Sequence, residues 1–397
     1  MAEAMVGRQR GMTLLRAVAV LGASLLAACS TIVPKGPPPP VTRPAERPTR
    51  PTPVQPGIPT DNDRDRVALL VPLTGPNAGV GKSLANATQM ALLDTDAKRV
   101  RITTYDTNQG AVDAANRALA DGNKLILGPL LSEDVRAIEP IAQRAHVPII
   151  TFSNDATVAG DGVYLLGYVP SQAIDRVVDY AHDQGVKNFA GLVPNGLYGQ
   201  RASTAFLRSV EGSGGQVLSL QTYDRSSASV NQAMARLAKN APYGAVLIAD
   251  SGATAAMLAP AAKKAGGAGV RLLGTELWNA ESSIATKSAL NGAWFASVPD
   301  TLYRQYAVKY RSRFGAAPYR LSSLGYDAVL LTVRVARDWR PGSDFPEREL
   351  GDPGGFSGID GAFRFGRDGI AQRALEVQEI RDGRTVVVSP APAGFDK

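Results

Sequence analysis

Short apolar runs alternate with amphipathic segments along most of this 397-residue chain. The first run, at 66–71, is apolar without interruption from Val67 onward, as in a strand buried on both faces of a parallel sheet. Similar runs predict strands at 100–105, 125–127 and 147–151, and the segments between them predict helices at 83–93, 111–121 and 135–145. Strands that alternate with helices predict a doubly wound α/β fold with a parallel sheet.

The same alternation starts again after Pro170. The predicted helices lie at 174–184, 200–211, 230–240 and 253–265, and the predicted strands at 189–193, 217–220, 245–249 and 270–273. Two more helices are predicted at 302–314 and 323–338. Since a chain of this length suits two domains, the pattern predicts two α/β units of similar size.

The C-terminal region has a different pattern. Short runs at 361–365, 375–380 and 385–388 predict strands. The dipeptides Asp368-Gly369 and Asp382-Gly383 separate these runs, and Asp-Gly is favoured in tight β-hairpin turns. The pattern predicts a C-terminal region of antiparallel strands.

The N-terminal residues have the features of a bacterial lipoprotein signal. Three arginines precede an apolar stretch at 17–28, and Cys29, the only cysteine of the chain, follows it. A basic region, a short apolar region and small residues before the cleavage site form a secretory signal. We expect residues 1–28 to be removed as a signal peptide and Cys29 to carry the lipid. The alternative is a small apolar segment with a chance cysteine.

The next segment, 31–60, is rich in proline. Such a segment prefers the extended polyproline II conformation, because proline removes backbone hydrogen-bond donors. At about 3.1 Å per residue, it would reach roughly 90 Å. We therefore predict a tether at 29–65 that holds a folded body away from a membrane. The alternative is an unstructured spacer of no set length.

The charge of the chain gives no sign of nucleic-acid binding. The net charge is +7, and removal of residues 1–28 lowers it to +5, because they contain three arginines and one glutamate. Several of the remaining positive charges lie in the proline-rich segment, so the folded part is close to neutral. A basic patch with interleaved aromatic residues, which would indicate nucleic-acid binding, is not found in the sequence.

The motifs that would indicate catalysis or metal binding are incomplete. The segment 79–83 (GVGKS) resembles a phosphate-binding loop, but Pro76 stands where the motif requires glycine. His146 and His182, the two histidines, are isolated and leave no Cys/His cluster for a metal. We therefore expect no catalytic residues, no metal and no cofactor, and we expect that the chain is not an enzyme.

Seven short segments occur in the order found in one protein family. They are VALLVPLTGPNAGVG (67–81), YD (105–106), GPLLS (128–132), VPIIT (147–151), YG (198–199), GTE (274–276) and GIDGAFRFGRDG (358–369). From Arg66 onward the chain therefore resembles the type I periplasmic binding proteins of the branched-chain amino acid receptor class. The resemblance implies a Venus-flytrap fold of two doubly wound lobes linked by several crossovers. It implies a first lobe at 66–169 and 293–338 and a second lobe at 170–292 and 351–397.

Within this class the chain is most similar to the penicillin-binding protein activators, which are outer-membrane lipoproteins that stimulate a peptidoglycan synthase. The segments GPLLS (128–132), LGYVPS (166–171) and LYGQRASTAF (197–206) carry this similarity. It implies two partners, a penicillin-binding protein and, through Cys29, the outer membrane at its periplasmic face. A proline-rich tether replaces the helical repeat domain of the best-known activators. The alternative is a substrate-binding lipoprotein of an amino acid ABC transporter.

The resemblance also implies residues that would hold a small amino-acid-like ligand between the lobes. Ser132 would bind a ligand carboxylate, Ser153 and Asn154 would supply further polar groups, Tyr198 would line the cleft, and Glu276 would bind an ammonium group. Each of these residues also has a purely structural interpretation. Ser132, for example, would be the N-cap of the following helix, and Glu276 would be an acidic residue in a surface loop.

One expected feature of such a ligand site is missing. The amino acid receptors have a further aromatic residue after the strand predicted at 245–249, where this chain has Asp250-Ser251. This absence favours the activator over the transport receptor.

Overall fold

The computed structural model describes residues 63–395, apart from 268 and 282. The predicted signal peptide, Cys29 and the tether up to residue 62 therefore lie outside the described residues. No helix in the described part of the chain is long and apolar enough to cross a membrane.

The first sheet is parallel, with the strand order β2-β1-β3-β4-β5. Its strands are β1 (Asp65–Val71), β2 (Val100–Asp106), β3 (Leu125–Leu127), β4 (Ile149–Thr151) and β5 (Val163–Leu165). The helices between them are α1 (Ala78–Asp94), α2 (Ala111–Ala120) and α3 (Ser132–Arg144).

Strand β1 shows why the sheet is covered on both faces. Val67 and Leu69 belong to the apolar core on one face of the sheet, and Ala68 and Leu70 belong to the core on the other. All four side chains are fully buried, because successive side chains of a strand point to opposite faces. The continuous apolar run in the sequence is therefore confirmed as a buried parallel strand.

The second sheet is mixed, with the strand order β15-β14-β10-β9-β8-β6-β7. Its parallel strands are β6 (Asn188–Pro194), β7 (Gln216–Tyr223), β8 (Ala245–Ile248), β9 (Arg271–Gly274) and β10 (Trp294–Ser297). The helices of this part are α4 (Pro170–Asp183), α5 (Leu197–Gly212), α6 (Ser227–Ala238) and α7 (Gly252–Gly266). The antiparallel strands β14 (Glu376–Arg381) and β15 (Arg384–Ser389) complete one edge.

The predicted antiparallel C-terminal region is confirmed and divides between two sheets. A small antiparallel sheet contains β11 (Phe356–Gly358), β12 (Gly361–Phe365) and β13 (Ala371–Arg373). The hairpin of β14 and β15 turns at Asp382-Gly383, where both residues have positive φ, 49° and 77°. This backbone is the reason that Asp-Gly is favoured at the turn.

Two helices precede this region, α8 (Thr301–Phe314) and α9 (Ser322–Val335). Leu324 of α9 and Phe356 and Phe363 of the small sheet share an apolar core with Val67 of β1. The first lobe therefore consists of the first sheet with α1 to α3, α8, α9 and the small sheet. The second lobe consists of the second sheet with α4 to α7.

The lobe boundaries differ from those implied by the resemblance. The segment 293–338 was expected in the first lobe, but Trp294–Ser297 is a strand of the second sheet, where Trp294 pairs with both Leu273 and Glu379. The segment 351–397 was expected in the second lobe, but its part at 356–373 packs on the first core. The chain thus crosses between the lobes at 166–169, 298–300 and 374–375.

The helix that follows the first strand of each lobe begins with the same close contact. A Cβ atom at Gly81 would overlap the carbonyl oxygen of Pro72, and a Cβ atom at Gly199 would overlap that of Pro194. Each proline ends or directly follows the first strand of its lobe. Helix α1 begins at Ala78, five residues before the predicted start at residue 83, so Gly79 and Gly81 are helical residues.

Candidate functional site

A cleft of about 370 Å³ lies between the two lobes. Leu130 and Asn154 line it from the first lobe, and Glu276 lines it from the second. Tyr168 and Val298, in two of the crossover segments, form part of its lining. Loops that follow the carboxyl ends of parallel strands meet here, which is where open α/β sheets bind ligands.

Glu276 follows β9 and lies in a polar cluster of the second lobe. Its Oε1 atom accepts a hydrogen bond of 3.1 Å from the hydroxyl group of Tyr198, and this hydroxyl lies 3.0 Å from Oγ1 of Thr275. The Oε2 atom of Glu276 is buried and has no hydrogen-bond partner. Burial raises the pKa of Glu276 from 4.5 to about 7. The structure thus brings together Tyr198 and Glu276, two of the residues implied by the resemblance.

The three candidates of the first lobe have different surroundings. Asn154 is exposed and lines the cleft. Ser153 is buried, and its Oγ atom accepts a hydrogen bond of 3.1 Å from the backbone N–H of Asp155. Ser132 is the first residue of α3, where Leu131 holds the N-cap position, so Ser132 does not cap this helix. Neither serine lines the cleft.

Asp250 lies after β8, at the position where the family resemblance led us to expect an aromatic residue. It is buried away from the cleft lining, and its carboxylate accepts hydrogen bonds from the Tyr223 hydroxyl at 2.7 Å and from Arg225 at 3.4 Å. The second lobe uses this position for an internal contact.

A buried charged cluster at the base of the cleft was not predicted. Arg320 donates a hydrogen bond of 2.8 Å from Nη1 to Oδ1 of Asp360, which is fully buried. Asp360 also accepts hydrogen bonds from the hydroxyl groups of Ser323, at 2.8 Å, and of Tyr168. Arg373 lies over the Tyr168 ring, 4.9 Å from its centre. We call Tyr168, Arg320, Ser323, Asp360 and Arg373 the hinge cluster.

The pKa values of two neighbouring carboxyl groups, Asp360 in the hinge cluster and Asp327 beside it, are shifted in opposite directions. Burial alone would raise the pKa of Asp360, but the guanidinium groups of Arg320 and Arg373 hold it below its ordinary value. The neighbouring Asp327 is buried as well, and its burial and the nearby charge of Asp360 raise its pKa. Asp360 is therefore the carboxylate that carries the negative charge within the hinge cluster.

An ionic contact also joins the two lobes. Asp155, in the loop after β4, lies 2.6 Å from Arg201 of α5 and 2.5 Å from Arg136 of α3. Burial would raise the pKa of Asp155, but hydrogen bonds from Thr157 and Arg136 and the charge of Arg201 lower it to about 2. A buried carboxylate of the first lobe is thus paired with a cation of the second lobe.

A family model described as "Periplasmic binding protein" matches residues 66–384 of this chain. Two curated proteins are similar in sequence over shorter segments. An uncharacterized protein of Rickettsia prowazekii is 29% identical over 177 residues, which is 44% of this chain and 47% of that protein. The penicillin-binding protein activator LpoA of Photobacterium profundum is 26% identical over 147 residues, 36% of this chain and 24% of the activator.

Solved structures share the two-lobed fold. A putative branched-chain amino acid ABC transporter protein from Rhodospirillum rubrum has a TM-score of 0.73 and 19% identity, with 82% of this chain and all of that chain covered. Full-length LpoA from Haemophilus influenzae has a TM-score of 0.62 and 18% identity, with 82% of this chain and 59% of that chain covered.

Proposed function

Because this chain belongs to the type I periplasmic binding protein family, we propose that it regulates peptidoglycan synthesis by binding and activating a penicillin-binding protein. In this proposal it acts as a lipoprotein of the outer membrane, anchored through Cys29 and directed into the periplasm. The proline-rich segment after Cys29 gives the folded lobes the reach to meet a synthase at a distance from the anchor.

The sequence similarity to the activator LpoA of Photobacterium profundum carries this proposal. The likeness to full-length LpoA of Haemophilus influenzae supports a common fold. Both similarities involve only part of the activators, so the lobes would have to provide the partner surface without the remainder of those proteins. The ionic contact between Asp155 and Arg201 suits such a role, because it holds the lobes together as one body for a protein partner.

The test is a glycan polymerisation and crosslinking assay with a purified penicillin-binding protein from the same organism. Addition of the full-length protein should increase the rate of the synthase in a saturable way. A small-molecule receptor of the same fold, added at the same concentration, is the control. No change in rate, together with no complex between the two purified proteins, would overturn the proposal.

A second candidate function is a receptor that delivers an amino acid to a transporter. The observation that favours it is the cleft itself, in which the buried Oε2 atom of Glu276 has no partner and could accept a hydrogen bond from an ammonium group. A ligand at 100 times its Kd would stabilise the protein by about 2.7 kcal/mol. An increase in Tm with an amino acid, lost in Glu276→Ala, would favour the receptor. The activator proposal predicts no such increase.

A further inference from the structure

One stretch of the first lobe carries positive charges and no acidic residue. Residues 301–326, which include helix α8 and the start of α9, contain five arginines and lysines but no aspartate or glutamate. Arg304, Lys309, Arg311 and Arg313 lie on α8, and all four are exposed. Since the folded part of the chain is close to neutral, this helix concentrates positive charge on one surface.

The inner side of α8 is fixed by buried tyrosines. Tyr306 and Tyr310 pack in one apolar cluster with Ala87 and Met90 of α1. The Tyr310 hydroxyl group also accepts a hydrogen bond of 3.0 Å from Nδ2 of Asn86. Because the inner side is held in this way, the outer side of α8 presents its cations in a defined arrangement.

Two of the four cations are partly balanced by carboxylates of neighbouring elements. Lys309 lies 2.6 Å from Asp94, at the end of α1. Burial raises the pKa of Glu376 in β14, and the positive charge of Arg304 acts against this rise. These two cations are therefore less available to a partner than the rest of the surface.

The other cations of this surface are not balanced. The guanidinium groups of Arg311 and Arg313 form no hydrogen bond or ion pair within the described part of the chain, and Arg313 lies only against the ring of Phe314, at 5.9 Å. Lys82, on the exposed side of α1, is also without such a partner there. The one carboxylate on α1 and α8 is that of Asp94. The surface of these two helices is therefore strongly positive.

Large apolar and aromatic side chains are exposed among these charges. Val308, in the middle of α8, is 73% exposed, and Tyr319, in the loop after α8, is 52% exposed. The backbone N–H of Tyr319 donates a hydrogen bond of 3.1 Å to Oγ of Ser83, next to Lys82 in α1. Arginine and tyrosine are enriched in protein–protein interfaces. We call Lys82, Val308, Arg311, Arg313 and Tyr319 the basic face.

The middle of this surface favours a protein over a membrane as the partner. Thr301, Gln305 and Ser312 are exposed and lie at helical spacing on the same side of α8 as Val308. A helix that lies in a membrane surface has a continuous apolar side. A protein interface instead combines apolar contacts with hydrogen-bonding groups.

We propose that the basic face is the surface that docks an acidic patch of the penicillin-binding protein. This inference rests on the proposed function and names the surface of this chain that would carry it out. The basic face does not include the residues that line the cleft. Opposite charges on the two proteins would guide their encounter, so association should become slower as the salt concentration rises.

The test is a surface plasmon resonance measurement of the full-length protein with a purified penicillin-binding protein from the same organism. The double variant Arg311→Gln/Arg313→Gln should bind about fivefold more weakly or worse, chiefly through slower association, and its binding should depend less on salt. The control, Arg117→Gln/Lys264→Gln, removes two exposed cations from α2 and α7 and should bind within about twofold of the wild type. Circular dichroism verifies that both variants are folded.

Photo-crosslinking locates the contact independently of the charges. A benzophenone amino acid in place of Val308 should crosslink to the penicillin-binding protein. The same amino acid in place of Met257, which is 64% exposed in the second lobe, should not.

Two results would overturn the inference and leave the proposed function standing. They are wild-type affinity in the folded variant Arg311→Gln/Arg313→Gln and the absence of a crosslink from position 308. If that variant keeps its affinity for the synthase but binds phosphatidylglycerol vesicles more weakly than the wild type, the basic face belongs to a membrane. If the wild type does not bind the synthase at all, the proposed function fails and this inference fails with it.

Discussion

The Oδ2 atom of Asp155 in the first lobe lies 2.6 Å from the Nη2 atom of Arg201 in the second. The Asp155 side chain is 1% exposed and that of Arg201 is 22% exposed, so this bond is shielded from water more than a surface ion pair. The low pKa of Asp155 keeps its charge over the physiological pH range. The pair therefore favours the arrangement of the lobes described above.

Arg201→Met should shift the ligand-free protein toward a more open arrangement of the lobes. The substitution leaves Asp155 with Arg136 alone, within the first lobe. Small-angle X-ray scattering should show a larger radius of gyration. Arg208→Met is the control, because Arg208 lies on the same helix but pairs with Asp175 of the second lobe, at 3.1 Å. An unchanged radius of gyration for Arg201→Met would show that the pair does not restrain the lobes.

Asp360→Asn should lower the free energy of unfolding by about 3–5 kcal/mol, because it removes the fully buried carboxylate that is the nearer ion-pair partner of Arg320. Urea unfolding at pH 7 measures the change. Asp352→Asn is the control: Asp352 pairs with Arg334 near the surface, where such pairs contribute about 0–1 kcal/mol. Equal effects of the two substitutions would contradict the structural role of the hinge cluster.

Glu276→Gln should stabilise the protein at high pH but not at low pH. Since the pKa of Glu276 is raised from 4.5 to about 7, the folded state favours the protonated acid. Its contribution to stability is fully present below pH 4.5 and is lost as the pH rises through 7. The glutamine variant should be about 1–3 kcal/mol more stable than the wild type at pH 8 and equal to it at pH 4. Urea unfolding at both values tests this, with Glu211→Gln, an exposed change on α5, as the control.

Gly199→Ala and Gly212→Ala should have opposite effects, although both glycines lie in α5. A Cβ atom at Gly199 would overlap the carbonyl oxygen of Pro194, so this change should destabilise the protein by about 3 kcal/mol. Nothing lies within 4 Å of a Cβ atom at Gly212, and alanine favours helix by about 1 kcal/mol at most. Thermal unfolding compares them, and a Gly199→Ala variant as stable as the wild type would refute the packing argument.

Cys29→Ala should abolish lipid labelling and release the protein from the membrane fraction. The reason is that the thiol of Cys29 is the only one in the chain that could carry the lipid. Metabolic labelling with a radioactive fatty acid and fractionation of the membranes measure both effects. Ser30→Ala should retain the label. Membrane retention of Cys29→Ala would contradict the lipoprotein proposal.

Local sequence patterns predicted most of the elements but not all of the pairing between strands. Strand β3 at Leu125–Leu127 has the predicted bounds, because its apolar run lies between clear turn signals. Strands β5 and β10, of three and four residues, were missed. The sheet to which β10 belongs depends on its pairing with Glu379, more than 80 residues away in the chain.

The residues of the candidate site, too, could be predicted from the sequence only in part. Glu276 and Tyr198 could be named because they lie in short segments shared with a family. Arg320, Asp360 and Arg373 come from separate loops and strands and meet only in the folded chain. No local pattern marks them, since each is an ordinary charged residue in its own segment.

The three crossovers mean that the first lobe is not continuous in the chain. Its sheet is finished at Leu165, but the helices and small sheet that cover one face are finished only at Arg373. The core around Val67 and Leu69 is therefore completed only after residues near the end of the chain have been synthesised. A single proteolytic cut in either lobe would release neither lobe, because other crossovers still hold both.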